Sequence, residues 1–249
     1  MSGHSKWATI KRKKGAADAK RGQLFSKLSR AIIVAAKEGG ADPASNSALA
    51  TAIQKARDNS MPKDNIERAI QRGAGAGDGE AYESILYEGY GPGGVAIICQ
   101  ILTDNRNRTA ADVRHAFTKN GGSLGTPGSV AWQFDRKGVI LVEAESADEE
   151  ALMEAALEAG AEDISEDGSQ WQITTDPADF IAVREALDAA GIPMASAELT
   201  MVAKSTVQPD EKEARQLLRL MDLLEDNEDV QGVYANFDIS EEVLEAVAG

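Results

Sequence analysis

From residue 73 to residue 79 the chain reads Gly73-Ala74-Gly75-Ala76-Gly77-Asp78-Gly79, with glycine at every second position. Glycine gives up more backbone freedom on ordering than any other residue and offers no side chain to a core. No regular element is expected to cross such a stretch, which reads as a flexible linker. It also marks a change of period. Before it, apolar residues recur at helical spacing. After it, short runs rich in β-branched residues alternate with turn residues. The expected class is therefore α+β, with helices first and sheets after.

Three helices are expected before the linker. The first runs over about residues 18–38, with Asp18 as N-cap and Gly39-Gly40 as its stop. Leu24, Phe25, Leu28, Ile32, Ala35 and Ala36 share one face, and Lys20, Lys27, Arg30 and Lys37 the opposite one. A second helix follows Asp42-Pro43 and reaches about Asp58. A third follows Pro62 and ends at Arg72-Gly73.

Beyond the linker, residues 84–90 and 95–102 read as strands joined by the turn Gly91-Pro92-Gly93-Gly94. The formal G-x-G-x-x-G at Gly89–Gly94 is a hairpin turn rather than a dinucleotide site, because a strand follows it where a helix is needed. A helix over residues 109–119 and a strand over 129–134 come next. Residues 138–202 then spell strand-helix-strand twice, which is the ferredoxin-like arrangement. A last helix (209–225) and strand (232–239) lack partners of their own and are expected to complete the sheet begun at residue 80. This makes three domains: residues 1–79 as basic arm, helical domain and linker; 80–136 plus 205–249 as a discontinuous middle ferredoxin-like domain; and 137–204 as a second one inserted into it.

The net charge is −15, and it is unevenly spread. Residues 1–75 carry 15 Lys and Arg against 6 Asp and Glu, whereas residues 76–249 carry 11 against 35. Such segregation reads as a polyanion-binding arm on an acidic body. No apolar run approaches the length of a membrane span, and the N-terminus lacks the apolar stretch of a signal peptide. The single cysteine, Cys99, sits in the apolar run Val95-Ala96-Ile97-Ile98-Cys99 and reads as an inert core thiol. A cytoplasmic, monomeric protein without cofactor, metal or small-molecule substrate is expected.

Four blocks resemble a known family. Ser2-Gly3-His4-Ser5-Lys6-Trp7 with Ile10-Lys11 and Lys13-Lys14, the run Thr103-Asp104-Asn105-Arg106-Asn107-Arg108-Thr109, Asn120-Gly121-Gly122 with Leu124-Gly125 and Gly128-Ser129-Val130-Ala131, and Val233-Tyr234-Ala235-Asn236-Phe237 are similar to the YebC/PmpR family. The resemblance spans essentially the whole chain in order. Ala203 departs from it, standing where similar proteins often have Pro. The resemblance implies a three-domain, non-enzymatic protein that regulates gene expression. Family members are labelled probable transcriptional regulators that bind DNA. A competing view makes them ribosome-bound translation factors that help synthesis through difficult sequences such as proline runs, and mitochondrial relatives activate translation.

Lys6, Lys11, Arg12, Lys13, Lys14, Lys20, Arg21, Lys27 and Arg30 can each neutralise a phosphate and release its counterions. Trp7 can stack on a base or dock on the body. Asn105, Arg106, Asn107 and Arg108 read as a loop before a helix capped by Thr109, where free N–H groups and two guanidiniums favour an anion. Such contacts position a nucleic acid without naming it as RNA or DNA. A helix-turn-helix across Asn59-Ser60-Met61 is the weaker reading, because Asp64 and Glu67 interleave with Lys63, Arg68 and Arg72. His4 and His115 pair with nothing that would make a catalytic or metal site. Glu150, Glu154 and Glu158 read as a solvated helix face. The acidic body favours a ribosome or rRNA partner over naked duplex DNA, with a DNA-binding regulator as the alternative and a protein-protein adaptor as a third.

Overall fold

The computed structural model describes residues 17–75, 82–240 and 243. The chain forms two compact units, one made of residues 134–204 and the other of the segments on either side.

The larger unit starts with helices α1 (Ala17–Gly39), α2 (Ser47–Asp58) and α3 (Lys63–Ala74). Leu28 and Ile32 of α1 pack with Leu49, Ile53, Met61 and Ile66. Burying an aliphatic side chain of this size contributes about 1.5–3 kcal/mol. Asn46 caps α2 by accepting from Leu49 N–H at 3.0 Å, and it ties the cap to α1 by donating to the carbonyls of Ala35 and Gly40, both at 2.8 Å. Two expectations are corrected. Asp18 lies inside the first turn of α1 rather than capping it. Gly73 is not a stop: it is buried within α3, and a Cβ there would strike Ala36 and the carbonyl of Ile33. Its lack of a side chain is what lets α3 approach α1.

The first sheet contains β1 (Glu83–Tyr90), β2 (Ala96–Thr103), β3 (Ser123–Leu124) and β8 (Val230–Ala235), in the order β3-β1-β2-β8. β1 and β2 form an antiparallel hairpin with Tyr90 opposite Ala96. Its turn places Gly93 and Gly94 at φ +70° and +74°, where a side chain would be strained. Helices α4 (Arg106–Lys119) and α7 (Glu211–Glu225) supply Val113, Phe117, Leu217, Leu220 and Leu224 to its core.

Residues 129–134 do not form the strand expected there. The two-residue β3 pairs with β1 instead, and Phe134 opens a strand of the other unit. The reason is Glu88, 5 % exposed, whose carboxylate accepts from the N–H groups of Gly128, Val130 and Ala131 at 2.6–2.8 Å. Amides wrapped around a carboxylate are withdrawn from a ladder. Burial alone would raise the Glu88 pKa; the three N–H donors outweigh it and hold it below the ordinary value.

The smaller unit runs β4 (Phe134–Glu143), α5 (Glu149–Glu158), β5 (Ala161–Asp167), β6 (Gln170–Thr175), α6 (Phe180–Ala189) and β7 (Ser196–Ala203). Its sheet order, β5-β6-β4-β7, is that of a ferredoxin-like unit. Ile140, Val142, Leu152, Ile173, Val183 and Leu187 form its core. The first sheet has the same neighbours with one permutation: β1 fills the place of β6 but enters the chain before the first central strand.

Candidate nucleic-acid interface

Lys6, Trp7, Lys11, Arg12, Lys13 and Lys14 lie outside the described residues. They lead into α1, which carries the rest of the basic stretch. Lys20 belongs to the first turns of α1. Arg21 is exposed, with its guanidinium 5.5 Å from the centre of the Phe25 ring.

About two turns further along α1 the cations are engaged. Lys27 donates to the carbonyl of Glu225, the last residue of α7, at 2.5 Å. Carbonyls at a helix C-terminus lack intrahelical partners and carry the negative end of its dipole, so a cation is favoured there. Arg30 donates to Asp229 Oδ1 at 2.9 Å and to the carbonyl of Glu228 at 2.8 Å, and it lies 5.2 Å from the centre of the Tyr82 ring.

Asp229 is 4 % exposed and collects more than Arg30. Its Oδ2 accepts from Thr109 Oγ1 at 2.6 Å, Arg108 at 2.8 Å and Thr103 Oγ1 at 3.1 Å. One carboxylate thus joins α1, the end of β2, the start of α4 and the segment entering β8. Burial pushes its pKa up; the hydrogen bonds from Arg108, Thr109 and Thr103 and the charge of Arg108 outweigh that, and the group stays below the ordinary aspartate value.

The run Asn105-Arg106-Asn107-Arg108 is not a loop. Asn105, rather than Thr109, is the N-cap: its side chain accepts from Arg108 N–H at 3.1 Å, and residues 106–108 form the first turn of α4. Thr109 is buried against Asp229. Arg108 bridges Asp229 and Asp104, each at 2.8 Å. Arg30 and Arg108, both expected to meet phosphate, therefore spend their guanidiniums on one buried carboxylate. Arg106 and Asn107 are exposed.

The signal for this arrangement is absent from local sequence. Asp229 stands 121 residues from Arg108 and 199 from Arg30.

Cys99 is fully buried in β2, which pushes its thiol far up and keeps it protonated and unreactive. His115 is exposed on α4. Among the described residues no group of three or more His, Cys, Asp or Glu is arranged to hold a metal ion, and no helix is long and apolar enough to cross a membrane.

Comparison with known proteins gives a consistent result. Residues 5–76 match the model of the TACO1/YebC protein N-terminal domain, and residues 82–237 match that of the TACO1/YebC second and third domain. A protein of Rubrobacter xylanophilus named probable transcriptional regulatory protein is 64 % identical over 250 residues, covering 100 % of both chains. A Geobacter sulfurreducens protein of the same description is 57 % identical over 98 % of this chain and 99 % of its own. The crystal structure of a conserved hypothetical protein from Aquifex aeolicus matches with a TM-score of 0.81 at 50 % identity, over 91 % of this chain and 94 % of that one.

Proposed function

The chain belongs to the TACO1/YebC family, and on that premise we propose that it regulates gene expression by holding ribosomal RNA, without catalysis. The observation that carries this reading is the segregation of charge: 9 Lys and Arg against one acidic residue within residues 1–30, on a chain of net charge −15. A basic arm can order against a phosphate-lined channel while the acidic remainder faces away. The same acidic body is repelled along naked duplex DNA. Lys6, Lys11, Arg12, Lys13, Lys14, Lys20 and Arg21 are assigned to phosphate, Trp7 to a base, and the exposed Arg106 and Asn107 to a second contact. Asn105, Arg108 and Arg30 act by holding the scaffold together.

Replacing Lys11, Arg12, Lys13 and Lys14 by Gln is expected to abolish co-sedimentation of the full chain with ribosomal particles at moderate salt. Unchanged co-sedimentation removes the arm from this role. The name shared by the bacterial relatives, probable transcriptional regulatory protein, favours a second reading as a DNA-binding regulator. That reading requires binding to duplex DNA that depends on sequence and survives physiological salt.

A further inference from the structure

We propose that the groove between α1 and α3 is a binding site for the phosphodiester backbone of a nucleic-acid strand; this rests on the nucleic-acid reading above and adds a further place of contact to it. The groove encloses about 270 Å³ and is lined by Ser29 and Ile33 of α1 and by Asn65, Arg68, Ala69 and Arg72 of α3. That is many times the roughly 10–15 Å³ that one water needs on the same measure, which leaves room for a phosphate group.

The lining sorts charges that the sequence interleaves. Positions 65, 68, 69 and 72 are spaced i, i+3, i+4 and i+7, which puts them on one face of α3. Asp64 and Glu67 are not among the lining residues, and Glu67 faces Lys63 at 3.6 Å instead. The groove itself is lined by two arginines and no carboxylate, and Asp64 and Glu67 lie on α3 outside it.

Arg68 is also held in place before an oxyanion arrives. Arg68 donates from Nε to the carbonyl of Asp64 at 3.1 Å and from one amino group to Asn65 Oδ1, so its planar fork is held against its own helix before any ligand arrives. Arg72, one turn on, is exposed and has no ion-pair partner among the described residues. Ser29 adds a hydroxyl from the opposite wall, and Ile33 and Ala69 supply apolar surface for a sugar. Close approach of the two helices at Gly73 sets the far end of the groove. Two forked cations, one hydroxyl and one amide around a small concavity are the donor set of a phosphate site.

The test is fluorescence anisotropy of the full chain with a labelled single-stranded RNA oligonucleotide and with a duplex DNA of the same sequence, over a range of salt. R68Q/R72Q is expected to weaken binding about tenfold and to lower the salt slope on RNA by about 1.4, two phosphates at ~0.7 each. R68K/R72K keeps both charges and loses the forks, so it is expected to recover the slope and only part of the affinity. K55Q/K63Q removes one charge from α2 and one from the start of α3, both outside the groove, and serves as the reference. Loss by the groove variant no greater than by this reference overturns the proposal, as does full recovery of affinity by R68K/R72K. Binding that needs Lys11–Lys14 but is indifferent to Arg68 and Arg72 leaves the arm in place and removes the groove. Failure of the unaltered chain to bind either probe overturns the groove together with the functional reading. Stronger dependence on Arg68 and Arg72 for duplex DNA than for RNA assigns the groove to DNA. Circular dichroism melting of each variant separates lost contacts from lost fold.

Discussion

The two sheets order their strands alike and are held in different ways. The unit of residues 134–204 takes its strands from one continuous segment, and its core is Ile140, Val142, Leu152, Ile173, Val183 and Leu187. Among the described residues its buried polar one is Thr175, and none that is charged is buried. The first sheet is assembled from segments separated by that whole unit, and among the described residues two carboxylates, Glu88 and Asp229, are buried at its joints. Glu88 fixes the loop that follows β3. Asp229 fixes the entry to β8 against β2, α4 and α1. A strand that arrives from far along the chain gains little from neighbours in sequence, and an apolar face alone does not forbid a two-residue slip, which keeps the same side chains inward. A buried carboxylate that needs three or four particular donors does forbid it, because a missed partner leaves a charge unpaired in the interior. The lesson is that buried charge here marks where distant segments must meet in one way only.

Ending the chain after Lys204 tests this contrast most severely. It removes α7 and β8, and with them Leu217, Leu220, Met221, Leu224 and Val233 of the first core. The larger unit is expected to lose its sheet, while residues 134–204 expressed alone keep a cooperative melt and a dispersed amide spectrum. An excised segment that is unstructured breaks the comparison, because its apolar core would then depend on the rest of the chain.

Asp229→Asn comes next. It takes the carboxylate from Arg30 and leaves Arg108 with Asp104 alone, and is expected to cost about 3–5 kcal/mol, read by denaturant unfolding. The acid limb should change with it. Asp229 and Glu88 both have folded pKa values held below their ordinary ones. Their contribution is complete above the unfolded values of about 4 and is lost as pH falls through the lower folded values. The unaltered chain should therefore lose stability steeply below about pH 4, and Asp229→Asn should flatten that loss.

Glu88→Gln keeps the volume and one acceptor and is expected to cost about 2–3 kcal/mol. Hydrogen exchange at the amides of Val130 and Ala131 should quicken well beyond that of the β1–β2 ladder. Equal protection of both would mean that the loop is held by packing and not by the carboxylate. The smallest effect is expected in the other unit, where Lys137 donates to Glu162 at 2.6 and 2.8 Å on a partly exposed surface. Glu162→Gln should cost less than about 1 kcal/mol. A larger loss would show that the contiguous sheet also relies on charge and would remove the contrast.

Much of the architecture was legible along the chain. The three helices, the hairpin around Pro92 and the strand-helix-strand repeat of the inserted unit each rest on spacing within a few residues, and each stands where spacing placed it. The errors fell at short or capped positions. β3 has two residues, too few to carry a period, and its pairing with Tyr90 depends on a strand more than thirty residues earlier. The start of α4 was misplaced because both Asn105 and Thr109 are capping residues, and the choice between them turns on Thr109 being drawn to Asp229.

The candidate interface divides in the same way. That a basic N-terminal stretch precedes an acidic body, and that Lys and Arg gather on one side of α1, follow from composition and helical period, which are properties of neighbours in the chain. That Arg30 and Arg108 are committed to a carboxylate, that Arg68 and Arg72 share a groove free of acids, and that Gly73 is a point of contact rather than an end were decided by tertiary structure alone. Each depends on which distant backbone lies within a few ångströms, and no local period encodes that distance.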